Sequence, residues 1–86
     1  MSAPLALRVT VLDTWDEVVL ELPADTTLGE VKRAALARAG IRRPPAEYVL
    51  KYKGAAILDE ARTASECGLG TNSAVIVLPR RRMPVR

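Results

Sequence analysis

The side chains that carry most enzyme chemistry are scarce in this sequence. Histidine, the commonest general base and metal ligand near neutral pH, is absent. Cys67 is the single thiol. Without an imidazole to take its proton it makes no nucleophile pair, and one cysteine among scattered carboxylates fits no zinc spacing. Gly68-Leu69-Gly70 lacks the following basic residue and helix start that a phosphate cradle requires, and it reads as a turn. The inventory therefore points away from catalysis, and no cofactor, metal or small-molecule substrate is expected. A lone cysteine cannot close an internal disulfide, which favours a reducing compartment. No stretch approaches the roughly 20 apolar residues of a membrane span, and Met1 to Leu7 lacks the pattern of a signal peptide. A soluble, cytoplasmic protein is expected.

Binding chemistry is better represented. The net charge of +3 is uneven, because Arg80, Arg81, Arg82 and Arg86 supply four of the thirteen positive charges. The body before them holds nine positives against ten negatives, so it is close to neutral and carries no basic stripe of the kind a nucleic-acid-binding fold presents. The expected organisation is one domain over 1–79 and a basic, flexible tail over 80–86. The Arg80–Arg82 run reads either as a solvated end or as a point of weak attraction for acidic protein, nucleic acid or lipid headgroups.

These residues need elements to position them. Residues 25–40 read as one capped amphipathic helix: Thr27 and Glu30 have capping-box spacing, and Gly40 closes the far end. Leu28, Val31, Ala35 and Ala39 form its apolar stripe with Leu36 on the flank, which assigns Lys32, Arg33 and Arg38 to the solvated side. A helix with one apolar stripe needs a sheet to lie on. Leu7, Val9 and Val11 alternate with Arg8 and Thr10, and after the turn-favouring Asp13 to Asp16 the alternation resumes through Val18, Leu20 and Leu22. The pair predicts an antiparallel hairpin ended by Pro23. Pro44-Pro45 enforce an extended crossing after the helix. Tyr48, Leu50 and Tyr52 then alternate with Val49, Lys51 and Lys53 as a third strand stopped at Gly54. Ala55 to Leu58 reads as a brief fourth strand or a loop, and Thr63 to Glu66 as one helical turn. Ser73 to Leu78 is a β-branched last strand, with Val75 and Val77 on one face and Ala74, Ile76 and Leu78 on the other, stopped by Pro79.

Two strands, a helix returning across them and three further strands make an α+β plan, a mixed sheet with one face covered, in which first and last strands lie parallel in the middle. This is a β-grasp arrangement. Across Leu7 to Arg80 the sequence resembles the ubiquitin-like family. The resemblance is carried by the hairpin, Pro23-Ala24-Asp25-Thr26-Thr27-Leu28 ahead of Val31-Lys32, the Gly40-Ile41 helix exit, and Tyr48-Val49-Leu50-Lys51-Tyr52-Lys53-Gly54. Leu58 to Thr63 and Ser65 to Leu69 are similar to the family's late loop and short turn. Conjugated members end in a glycine pair, whereas no glycine follows Gly70 here, which speaks against the alternative of a modifier or sulfur carrier. Alanine- and arginine-rich, lysine-poor usage fits a GC-rich bacterial genome, and in that setting the chain is similar in plan to the YukD-like ubiquitin-fold proteins that accompany type VII secretion systems.

The fold hosts many functions, so only particular residues can distinguish among them. Alternation places Thr10, Val19, Val49, Lys51, Ile76 and Leu78 on the open sheet face. The resemblance puts Lys51 where ubiquitin's recognition patch has its central isoleucine and Leu78 where it has its valine; the third member falls near Thr14 or Trp15. Lys51 speaks against binding by ordinary ubiquitin receptors. The expected function is a non-enzymatic interaction module that binds a partner protein through Trp15, Val49, Lys51, Ile76 and Leu78, with Arg80, Arg81 and Arg82 alongside. Two readings stay open at Trp15, an exposed interface anchor or a lid folded over the hairpin. Isolated aliphatics on a strand face also occur without function.

Overall fold

In the computed structural model, which describes residues 4–80, the backbone follows the alternation read from the sequence. The strands are β1 (Leu5–Val11), β2 (Asp16–Leu22), β3 (Tyr48–Tyr52), β4 (Ala55–Ile57) and β5 (Ala74–Pro79), with the helix α1 (Leu28–Arg38) between β2 and β3. They form one five-stranded sheet in the order β2-β1-β5-β3-β4. β1 and β5 run parallel at its centre, and every other pairing is antiparallel.

One face of this sheet is the core. Leu7, Val9 and Val11 of β1, Leu20 of β2, Leu50 of β3 and Val75 and Val77 of β5 are buried against Leu28, Val31, Ala35 and Leu36 of the helix. Burial of each such aliphatic contributes about 1.5–3 kcal/mol, which is how a chain with no phenylalanine still closes a core. Ala64 and Leu69 from the loop before β5 seal the edge of the same cluster.

α1 is shorter than the 25–40 span read from the sequence, and its start is capped from one side only. Thr27 Oγ1 accepts from the Glu30 N–H at 3.3 Å, whereas Glu30 is exposed. The remaining first-turn donors are met by the loop after β4: Leu28 N–H reaches the Arg62 carbonyl at 2.9 Å and Gly29 N–H the Glu60 carbonyl at 3.0 Å. The reciprocal capping box occurs at Thr63 instead, where Glu66 N–H donates to Thr63 Oγ1 at 3.2 Å and Thr63 N–H to Glu66 Oε1 at 3.0 Å. At the far end Gly40, at φ +78°, closes a Schellman pattern with Gly40 N–H on the Ala37 carbonyl and Ile41 N–H on the Leu36 carbonyl.

Lys32 corrects the expectation that it lies on the solvated side. It is 3% exposed, and its Nζ donates to Glu60 Oε2 at 2.6 Å and to the Tyr48 carbonyl at 3.0 Å. The reason is helical spacing. Leu28, Lys32 and Leu36 stand four residues apart, so Lys32 sits between two buried leucines on the stripe itself. A charge there is tolerated because one carboxylate and one carbonyl meet it. The ion pair ties the helix to the start of β3 and to the loop after β4.

Both tight hairpins use left-handed residues. Lys53 and Gly54, at φ +55° and +81°, make the two-residue link between β3 and β4. The last strand ends at Pro79 as expected, with the proline itself as β5's final residue, opposite Tyr48. It is an end position, where the missing N–H costs no ladder bond.

Candidate functional site

The sheet face turned away from α1 is built by the other parity of each strand. A cross-strand row runs Glu17–Thr10–Ile76–Lys51–Ala56 from β2 to β4, and Val49 pairs with Leu78 one step along. Val19 is 51% exposed and Ile76 39%, whereas Val49, Lys51 and Leu78 are half-buried. The open-face residues expected from alternation are thus brought together. Leu12, Val49, Lys51, Leu78, Pro79 and Arg80 line a shallow groove at the end of this face.

The structure adds Leu12 to the face, where the sequence points to Thr14 or Trp15 for the hairpin's contribution; parity supplies the missing signal. Arg8, Thr10 and Leu12 are two residues apart, and Leu12 N–H still bonds the Val77 carbonyl at 2.9 Å, so the β1 alternation runs one residue into the turn.

Charge on this face is divided between its two halves. On the β2–β1 half, Arg8 Nε pairs with Glu17 Oε2 at 3.2 Å, and Glu21 lies on the same parity of β2. On the β5–β3 half the strand positions carry Lys51 and no carboxylate, and Arg80 follows at the rim. Among the described residues Lys51 makes no ion pair.

Arg80 is held against the sheet end. Its backbone N–H donates to the Glu47 carbonyl at 2.7 Å and its Nε to the Ala46 carbonyl at 3.2 Å, capping the 3-10 turn Pro45–Glu47. Arg81 and Arg82 lie outside the described residues.

Trp15 does not fold over the hairpin as a lid. It is 78% exposed, and it ends the β1–β2 turn at φ +57°, a left-handed conformation that costs a bulky side chain about 1–2 kcal/mol. The turn that carries it is anchored from below, because the Tyr48 hydroxyl donates to Asp13 Oδ2. The hydrogen bond to Asp13 is the main cause that raises the Tyr48 phenol above its ordinary value; burial adds to this, and the nearby Arg43 opposes it.

Among the described residues no cluster of three or more histidine, cysteine or acidic side chains is placed to hold a metal, and no helix is long and apolar enough to cross a membrane. Cys67 is half-buried beside the loop after β4.

No family model and no curated protein sequence matches the chain. Solved structures do. A ubiquitin of Caldiarchaeum subterraneum superposes with a TM-score of 0.77 at 20% identity, over 92% of this chain and 96% of that one. A ubiquitin-like domain of an Arabidopsis thaliana protein gives 0.76 at 16% identity, over 99% and 86%. A designed protein based on ubiquitin gives 0.80 at 14% identity over the whole of both chains. With a five-stranded mixed sheet and a single helix across one face, the chain has the ubiquitin-like β-grasp fold.

Proposed function

We propose that this protein is a non-enzymatic, ubiquitin-like interaction module of the cytoplasm that binds a partner protein through the open face of its sheet. The observation that carries the reading is the neighbouring set Val49, Ile76 and Leu78, with Leu12 at its end, on the sheet face turned away from α1: Ile76 is exposed, and the other three are half-buried along one groove. Trp15 is the second support. A large aromatic held exposed in a costly backbone conformation is the type of residue that anchors an interface. A bacterial setting and a place beside a secretion system belong to the same proposal and rest on composition and similarity of plan.

The reading is tested by affinity capture from the source lysate with wild type beside Ile76→Asp, with folding of the variant confirmed by circular dichroism. A protein retained by wild type and lost with Ile76→Asp supports it. Capture that survives Ile76→Asp and disappears only when residues 80–86 are removed contradicts it and transfers the binding to the arginines. Adducts of increased mass would point to the modifier alternative.

A further inference from the structure

Any partner that covers the aliphatic side chains of the open face must also cover Lys51. Lys51 is paired across the sheet with Ile76, and it lines the same groove as Val49 and Leu78. Covering those three also covers the Lys51 stem and takes away part of the water open to its ammonium. An ammonium taken out of water without an acceptor is strongly unfavourable. Among the described residues Lys51 has no ion-pair partner. Among the strand positions of the open face the carboxylates belong to β2, at the opposite edge beyond β5 and β1, and Glu17 there is held by Arg8; Glu47, just before β3, forms no ion pair with Lys51 or Arg80. Asp13 at the sheet end is engaged by the Tyr48 hydroxyl. Arg80 adds a second cation at the rim of the same groove; its Nε contact uses one donor of the guanidinium, and among the described residues it makes no ion pair.

From this we infer that the open face recognises an acidic-aliphatic segment of a partner protein: one or more Asp or Glu side chains, flanked by Leu, Ile or Val, with a carboxylate set between Lys51 and Arg80. The inference rests on the sheet-face reading and specifies its ligand. The apolar side chains of the segment lie on Ile76, Val49 and Leu78, and the carboxylate takes charge-assisted hydrogen bonds from Lys51 Nζ. The division of charge across the face also sets the direction of docking. The same segment turned around brings its carboxylate toward Glu17 and Glu21, where like charges repel.

The test is selection from a phage-displayed library of random peptides on the wild-type chain, followed by fluorescence anisotropy of the synthesised winners with Lys51→Glu, Lys51→Gln and Ile76→Asp. The expected winners carry Asp or Glu among aliphatic residues. Their affinity falls by about tenfold or more with Lys51→Glu, falls less with Lys51→Gln, and is recovered on Lys51→Glu when the peptide's acid is replaced by Lys. Winners that lose binding with Ile76→Asp but contain no acid, or that ignore Lys51→Glu, overturn the inference and leave the sheet-face reading standing. Winners indifferent to both substitutions, or a library without a binder, count against both.

Discussion

Lys32 and Lys51 lie among aliphatic side chains on opposite sides of the same sheet, and among the described residues only Lys32 forms an ion pair. Lys32, on the helix side, is 3% exposed and donates to Glu60 and to the Tyr48 carbonyl. Lys51, on the open side, is half-buried and makes no ion pair among the described residues. The difference separates what the fold needs from what it leaves over. The Lys32 contacts hold α1, β3 and the loop after β4 together, whereas Lys51 makes no hydrogen bond or ion pair of that kind among the described residues.

The largest way to break the comparison is to remove the inner charge. Lys32→Ala leaves the Glu60 carboxylate and the Tyr48 carbonyl without their donor, and a loss of about 3 kcal/mol in urea denaturation is expected. Lys32→Met, which restores the volume, should recover part of it. A loss below about 0.5 kcal/mol for Lys32→Ala, the scale of a neutral surface substitution, would mean that the ion pair is incidental.

Tyr48→Phe is the next in size. It removes the hydroxyl that pins the β1–β2 turn through Asp13, with an expected cost of about 1–2 kcal/mol by the same denaturation. It also alters the alkaline limb. Because the folded phenol titrates above its unfolded value of about 10, the native state holds its proton where the unfolded state has lost it. The contribution is therefore complete below pH about 10 and falls as pH rises beyond it. The phenylalanine variant should lose less stability than wild type between neutral pH and that range; equal slopes would contradict the assignment.

Trp15→Gly acts with the opposite sign. Glycine takes φ +57° without steric cost, so a gain of about 1 kcal/mol in stability is expected together with a loss of partner affinity. A gain in stability with unchanged binding would make the tryptophan a structural accident. The smallest effect on the fold is at Lys51: Lys51→Met should change stability by no more than about 0.5 kcal/mol. A large loss would show that Lys51, like Lys32, is used within the domain.

The two lysines show where reading a sequence succeeds and where it fails. The two-residue period places Lys51 with Ile76 and Leu78 correctly, because in a strand one side fixes the other. A helix has a wider apolar stripe, and following it along Val31, Ala35 and Ala39 excludes Lys32, although Leu28 and Leu36 on either side of it mark the same burial. Residue type outweighs position in that reading, and the structure reverses it. The strand order and the central parallel pair are legible from the order of elements. The carboxylate that meets Lys32 is not, since Glu60 arrives from a loop with no periodicity. Leu12 escapes notice at the face because the turn residues around it mask the continuing alternation. The hold of Arg80 on the 3-10 turn has no signature in a run of arginines.

The most direct test of the central claim is an amide chemical-shift titration of the chain with an acidic-aliphatic peptide selected on it. The account predicts the largest shifts at Val49, Lys51, Ile76 and Leu78, with α1 silent and more peptide needed for half-saturation in Lys51→Gln. Shifts concentrated on Leu58 and residues 62–67, with the open face unmoved, would contradict it.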